Sequence, residues 1–186
     1  MNVRSFNIVS YPRYKVNFWG IPKCGSTSVK IALSDQQHLP SVLEDRGIEH
    51  FHKKRYHNYI FPFEALSNGF ENISFIKHPY LRMISIYKDF GVKRSNTSLD
   101  INTWIQENIN YEHNMFNSIS WFLSRDEKIL CDNVMNVSEI NSYMKKHNVI
   151  VSRYNTHDGD FELSDHSKDL IKLKYQQDFK LFVDLF

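Results

Sequence analysis

The chain has little of what marks several protein classes. It holds two cysteines in 186 residues. Cys24 and Cys131 lie far apart without the paired spacing of a metal motif, so neither a disulfide scaffold nor a cysteine-held zinc is expected. No apolar run approaches the roughly 18 residues of a membrane span. The segment Met1-Asn2-Val3-Arg4-Ser5-Phe6-Asn7 lacks the continuous apolar core of a signal peptide. These absences predict no membrane partner and a reducing cytoplasm as the setting. An excess of one charge is missing too: the formal net charge is +2, too near neutral for a general nucleic-acid binder, so any preference for anions must be local. No repeat, low-complexity tract or linker interrupts the chain. With 41% hydrophobic and 24% charged residues, the length suits one core, and a single domain over residues 1–186 is expected.

What is present is organised around Phe18-Trp19-Gly20-Ile21-Pro22-Lys23-Cys24-Gly25-Ser26-Thr27-Ser28-Val29-Lys30. Val16, Phe18 and Trp19 are strand formers, Gly20 to Gly25 is turn-like, and Val29, Ala32 and Leu33 have helical spacing. A helix starting near Ser26 aims free N–H groups and a positive dipole end at the turn, and Lys23 adds a full charge. The stretch reads as a phosphate cradle. Gly20 and Gly25 keep the spacing of the nucleoside-triphosphate loop G-x-x-x-x-G-K-[ST] and Thr27 keeps its hydroxyl, but Ser26 stands where the lysine belongs and the lysine is at Lys23. A Mg²⁺-bound γ-phosphate needs both groups in place, so a metal-free phosphate or sulfate donor fits better. The plain alternative is a strand–helix turn with an exposed lysine.

Residues 1–15, broken by Pro12, read as a lead-in able to add an edge strand. Residues 34–55 are polar and end in the basic run His50-Phe51-His52-Lys53-Lys54-Arg55-Tyr56-His57. A short helix is expected over residues 62–68 with Gly69 as its stop, and a buried strand over 72–77. Pro79 then opens a helix over 80–90. Asp100 caps another helix, residues 134–137 form a short strand, 138–146 a capped helix, and 165–182 a closing helix with Ile171, Tyr175, Phe179 and Phe182 on one face. This alternation predicts an α/β fold: a P-loop-like three-layer sandwich with a central parallel sheet flanked by helices.

Two of these segments resemble one family. Pro22-Lys23-Cys24-Gly25-Ser26-Thr27-Ser28 is similar to the 5′-phosphosulfate loop of sulfotransferases. Phe75-Ile76-Lys77-His78-Pro79-Tyr80-Leu81-Arg82-Met83-Ile84-Ser85-Ile86-Tyr87 resembles their 3′-phosphate motif, Arg-Asp/Asn-Pro-x-x-Arg-x-x-Ser-x-Tyr. A weaker likeness to the carbohydrate-type members continues through His113, Trp121, Val137-Ser138-Glu139, Asn155-Thr156 and Tyr175-Gln176-Gln177-Asp178-Phe179-Lys180-Leu181-Phe182. The resemblance implies 3′-phosphoadenosine-5′-phosphosulfate as donor and a hydroxyl-bearing acceptor, a glycan by the closer likeness. It implies that Lys23, Cys24, Gly25, Ser26, Thr27 and Ser28 hold the phosphosulfate, and that Lys77 and Ser85 hold the 3′-phosphate. Lys77 departs from the family's arginine, and His78 from its Asp or Asn. Arg82 is expected in a structural ion pair.

The acceptor hydroxyl needs a proton acceptor. By the resemblance His57 leads, followed by His52, His50 and Glu64; a solvated histidine in a basic loop is the plain alternative for His57. Lys53, Lys54 and Arg55 could meet an acidic glycan or simply face water. No metal is expected, since His50, His52 and His57 have no spaced Cys, Asp or Glu nearby. Cys24 reads as a packed thiol. Two rivals stand beside the transferase: a non-catalytic binder of phosphoadenosine nucleotides or sulfated glycans, and a P-loop-type small-molecule kinase using Mg²⁺ and ATP.

Overall fold

The computed structural model describes residues 7–34, 58–151 and 161–186. Strands β1 (Ile8–Tyr11) and β2 (Val16–Trp19) are joined by a 3-10 turn at Pro12–Tyr14 that closes on Lys15 at φ 53°. After helix α1 (Ser26–Leu33) come β3 (Tyr59–Ile60), α2 (Pro62–Ser67), β4 (Glu71–Ile76) and α3 (Pro79–Ile86). Helices α4 (Ile101–Asn108) and α5 (Ile119–Leu123) precede a hairpin of β5 (Ser124–Arg125) and β6 (Lys128–Ile129). Strand β7 (Asn133–Asn136) and helices α6 (Ile140–Lys146), α7 (Asp165–Lys174) and α8 (Gln176–Leu181) complete the order.

The main sheet has five strands in the order β3-β1-β2-β4-β7. Strands β2, β4 and β7 are parallel and form the helix-flanked parallel part of the sheet, as the sequence predicts, with β7 at its edge. The sheet as a whole is mixed, because β1 runs antiparallel to both β2 and β3. The turn from Pro12 to Lys15 explains this: so short a link can only reverse the chain, whereas a parallel neighbour needs a crossover of a dozen residues or more. The lead-in is therefore not an edge. Strand β1 is buried along its whole length, with β3 outside it.

Alternation along the strands divides the core. Val9, Tyr11, Val16, Phe18, Ile73 and Phe75 point to one face, where Val29 and Leu33 of α1 and Ile140, Tyr143 and Met144 of α6 cover them. Ile8, Trp19 and Ile76 point to the other, against Ala65 of α2, Phe122 of α5 and Phe182. That second face also buries a polar seam: the Asn17 amide donates to the Ala65 carbonyl at 3.0 Å and the Trp19 indole to Asn72 at 3.0 Å. A third cluster beyond the sheet joins Met83, Tyr87, Trp104, Phe116, Ile171 and Tyr175.

Two helical expectations change in detail. The helix expected over 80–90 is α-helical only to Ile86 and continues as a π-helical segment, Tyr87–Arg94. The closing helix breaks at Tyr175, whose hydroxyl donates to the Phe116 carbonyl at 3.0 Å. Past the break, the buried Asp178 carboxylate accepts the Ile119 and Ser120 amides at 2.8 and 2.7 Å and so caps α5. Among the described residues, no helix is long and apolar enough to cross a membrane.

Candidate functional site

Strand β2 ends in the loop 20–25, and buried residues pin both of its ends. The Gly20 amide donates to the Asn7 carbonyl at 2.9 Å, and Ile21 and Cys24 are buried in the core beside Trp19. Between them Lys23 adopts φ 65° and Gly25 φ 74°. A left-handed lysine is uncommon and is held here by its surroundings; strain of this kind gathers at functional sites. Gly25 could not be replaced without movement, since a Cβ there would lie 2.8 Å from Ile140 Cδ1. It is also the N-cap of α1 and offers no side chain to the first-turn amides. Ser26 donates its hydroxyl to the Ile21 carbonyl at 3.2 Å, and Thr27 and Ser28 follow, half-buried, in the first turn.

Strand β4 ends beside β2 and runs into Lys77, His78 and Pro79. His78 Nδ1 accepts the Tyr80 amide at 3.2 Å and caps α3. A neutral imidazole thus does the work of the Asp or Asn usual at this place, and burial pushes its pKa down, which favours that neutral form. The ring packs against Tyr80, Phe179 and Phe186. Lys77 and Ser85 are both half-buried, the first at the strand end and the second on α3.

Arg82 ties the two loops together. It is 1% exposed and donates through Nε to the Pro22 carbonyl at 3.1 Å and through Nη2 to the Met115 carbonyl at 2.8 Å. These bonds go to carbonyls, and among the described residues Arg82 makes no direct ion pair; Asp178, the nearby carboxylate, caps α5 instead.

Lys23 has a partner that no sequence motif announces. Its Nζ lies 3.1 Å from Asp89 Oδ2, and Arg94 Nη2 lies 3.0 Å from the same oxygen. Burial pushes the Lys23 pKa down, Asp89 opposes this, and Arg94 and Lys77 add to it, with a net fall. Burial pushes the Asp89 carboxyl up, but Lys23 and Arg94 outweigh it and hold it below its usual range. Cys24 is a packed thiol, fully buried, and burial above all pushes its pKa up, only partly offset by Arg82 and Lys77.

Of the expected proton acceptors, His57, His52 and His50 lie outside the described residues, as do Lys53, Lys54, Arg55, Asn155 and Thr156. Glu64 is described: its carboxylate accepts the Phe61 amide at 2.6 Å in a cap of α2. Among the described residues no group of three or more His, Cys, Asp or Glu is placed to hold a metal ion.

Comparison with curated proteins and with solved structures gives no match. The model of the sulfotransferase family, in contrast, matches residues 6–128, a span that contains both cationic loops, Asp89 and Arg94. With well over half of its length matched and the parallel strands β2 and β4 delivering Lys23 and Lys77, the chain belongs to the sulfotransferase family.

Proposed function

We propose that the protein transfers a sulfuryl group from 3′-phosphoadenosine-5′-phosphosulfate to a hydroxyl of a carbohydrate acceptor, by in-line displacement without a metal. The observation that supports this most is the emergence of two cationic loops, at Lys23 and at Lys77, from neighbouring parallel strands. In open α/β sheets ligands bind beyond the carboxyl ends of such strands. The donor set also fits a ligand with two anionic ends. Lys23 already holds an anionic oxygen, that of Asp89, at 3.1 Å.

Lys23, Gly25, Ser26, Thr27 and Ser28 would hold the phosphosulfate end; Cys24 would shape the loop from beneath, since its side chain is buried and its amide donates to the Ile21 carbonyl at 3.3 Å. Lys77 and Ser85 would hold the 3′-phosphate. When bound, the donor supplies an activated sulfuryl group on a phosphate leaving group. Lys23 and the α1 amides would be placed to stabilise negative charge on that phosphate leaving group. His57, 20 residues before Lys77, would be the leading proton acceptor for the attacking hydroxyl, ahead of His52 and His50, by its place in the likeness to carbohydrate-type members; an imidazole's ordinary pKa near neutrality suits the task. Glu64 ranks last, being engaged with the Phe61 amide.

Lys77 in place of arginine favours one second reading, a non-catalytic binder of phosphoadenosine nucleotides. A labelled-sulfate transfer assay over a panel of glycans and small alcohols separates the two. Transfer is expected, and Lys23→Ala should lower it by about 100-fold or more while leaving the melting temperature nearly unchanged. Transfer that survives Lys23→Ala contradicts the assignment of the loop.

A further inference from the structure

We propose that Asp89 is a positioning residue for Lys23. It holds the loop ammonium in the cofactor-free protein and yields it to an incoming anion, with Arg94 keeping the carboxylate paired after the exchange. This rests on the reading above that Lys23 grips an anionic ligand.

Three observations carry it. The pair is enclosed: the side chains of Lys23 and Asp89 are 18% and 11% exposed, so their contact is little screened by solvent. Arg94 binds the same oxygen from outside, with 57% of its side chain exposed. When Lys23 leaves, Asp89 is therefore not stranded as a lone enclosed charge, which would be the costly outcome. Finally, the carboxylate sits on an anchored segment and the lysine on a movable stem. Asp89 belongs to the π-helical turn whose Gly91 packs so closely that a Cβ would lie 3.0 Å from Trp104 Nε1. The lysine stem, in contrast, is a flexible four-carbon chain. Two cations on one oxygen also compete with any proton, which fits Asp89 for positioning and not for taking the acceptor's proton.

The exchange makes Asp89 a competitor of the ligand. Removing its charge should tighten anion binding, but only through Lys23. The test is a double-mutant cycle of Asp89→Asn and Lys23→Met, read as affinity for 3′,5′-adenosine bisphosphate by titration calorimetry. Asp89→Asn should tighten binding about fivefold to tenfold with Lys23 present and less than about twofold in the Lys23→Met background. An equal effect in both backgrounds, or weaker binding, overturns the proposal, since it would mean a general field or a structural role.

A second readout needs no nucleotide. In the unliganded protein, the rate of Lys23 acylation by acetic anhydride, followed by mass spectrometry, should rise several-fold in Asp89→Asn, because the carboxylate no longer keeps the amine protonated and engaged. An unchanged rate overturns the proposal. If the wild-type protein binds no bisphosphate, the proposed function fails while this rate still decides the role of Asp89. Should Asp89→Asn not fold, Arg94→Gln serves: it leaves Asp89 to Lys23 alone and should slow acylation, and a faster or unchanged rate is the contrary result.

Discussion

Phe18 of β2 and Ile73 of β4 are direct partners in parallel register. That pairing sends the loops carrying Lys23 and Lys77 out of the same end of the sheet, beyond the carboxyl ends of the parallel strands, and each loop feeds a helix, α1 or α3. Neither loop would mean much alone. Side by side they form two grips, and Arg82 fastens one to the other through the Pro22 carbonyl.

Lys77 is the grip that departs from its family. A lysine offers a point charge where an arginine offers a planar fork able to make two parallel bonds to one phosphate. Lys77→Arg is expected to tighten binding of 3′,5′-adenosine bisphosphate by about tenfold, and Lys77→Ala to weaken it by a similar factor. Calorimetry reads both. Identical affinities for the wild-type protein and the Lys77→Ala variant would remove Lys77 from the site.

Gly25 answers for the shape of the cradle. Its φ of 74° and the 2.8 Å approach of Ile140 Cδ1 leave no room for a Cβ. Gly25→Ala should cost about 1–3 kcal/mol of unfolding free energy and weaken the bisphosphate further than that loss of stability explains. Ile140→Val deletes the offending methyl, so adding it should restore the part due to contact and leave the part due to backbone strain. Urea unfolding of the wild type, the two single variants and the double variant gives the answer; strict additivity would contradict the contact.

Lys30 makes stability depend on pH. It is 1% exposed, and its ammonium donates to Asn7 Oδ1 at 2.6 Å and to the Tyr59 hydroxyl at 3.0 Å. Burial pushes its pKa down to about 8. The folded value lies below the unfolded one, so the cost of burying the charge is present in full below pH 8. It is relieved as pH rises toward the unfolded lysine value, where the folded state has lost a proton that the unfolded state still binds. The relief amounts to about 3 kcal/mol at most. Above about pH 10, tyrosines raised by burial, Tyr11 among them, work in the opposite direction. The urea midpoint should therefore climb more steeply between about pH 8 and 10 in the wild-type protein than in Lys30→Met. Parallel curves would show that Lys30 is not charged at neutral pH or not buried.

Much of this was legible in the residues themselves. Turn chemistry and periodicity place β2, the Gly20–Gly25 loop and the start of α1 at Ser26, since all three are local decisions. The same holds for Asp100, which caps α4 by accepting the Asn102 and Thr103 amides. What was hidden depends on pairing between distant parts of the chain. The insertion of β1 between β2 and β3 follows from sheet assembly, which no local pattern records. Asp89 was unreadable for the same reason: it becomes part of the site only when the π-helical turn is brought against the Lys23 loop. His78 looked like a lost carboxylate or amide, yet its Nδ1 supplies the same acceptor to the same helix end. Tyr175, legible as a core position of the closing helix, and Asp178, legible only as part of a likeness, fasten the segment from Phe116 to Ser120.

The central claim is that the two loops clamp a phosphoadenosine nucleotide. The most direct measurement is the melting temperature with 3′,5′-adenosine bisphosphate and, separately, with ATP and Mg²⁺. A ligand that binds only the folded state adds RT ln(1 + [L]/Kd), about 2.7 kcal/mol at a hundredfold excess over Kd. The account predicts a rise of several degrees with the bisphosphate, lost in Lys23→Ala, and none with ATP and Mg²⁺. A rise with ATP and Mg²⁺ and none with the bisphosphate would contradict it.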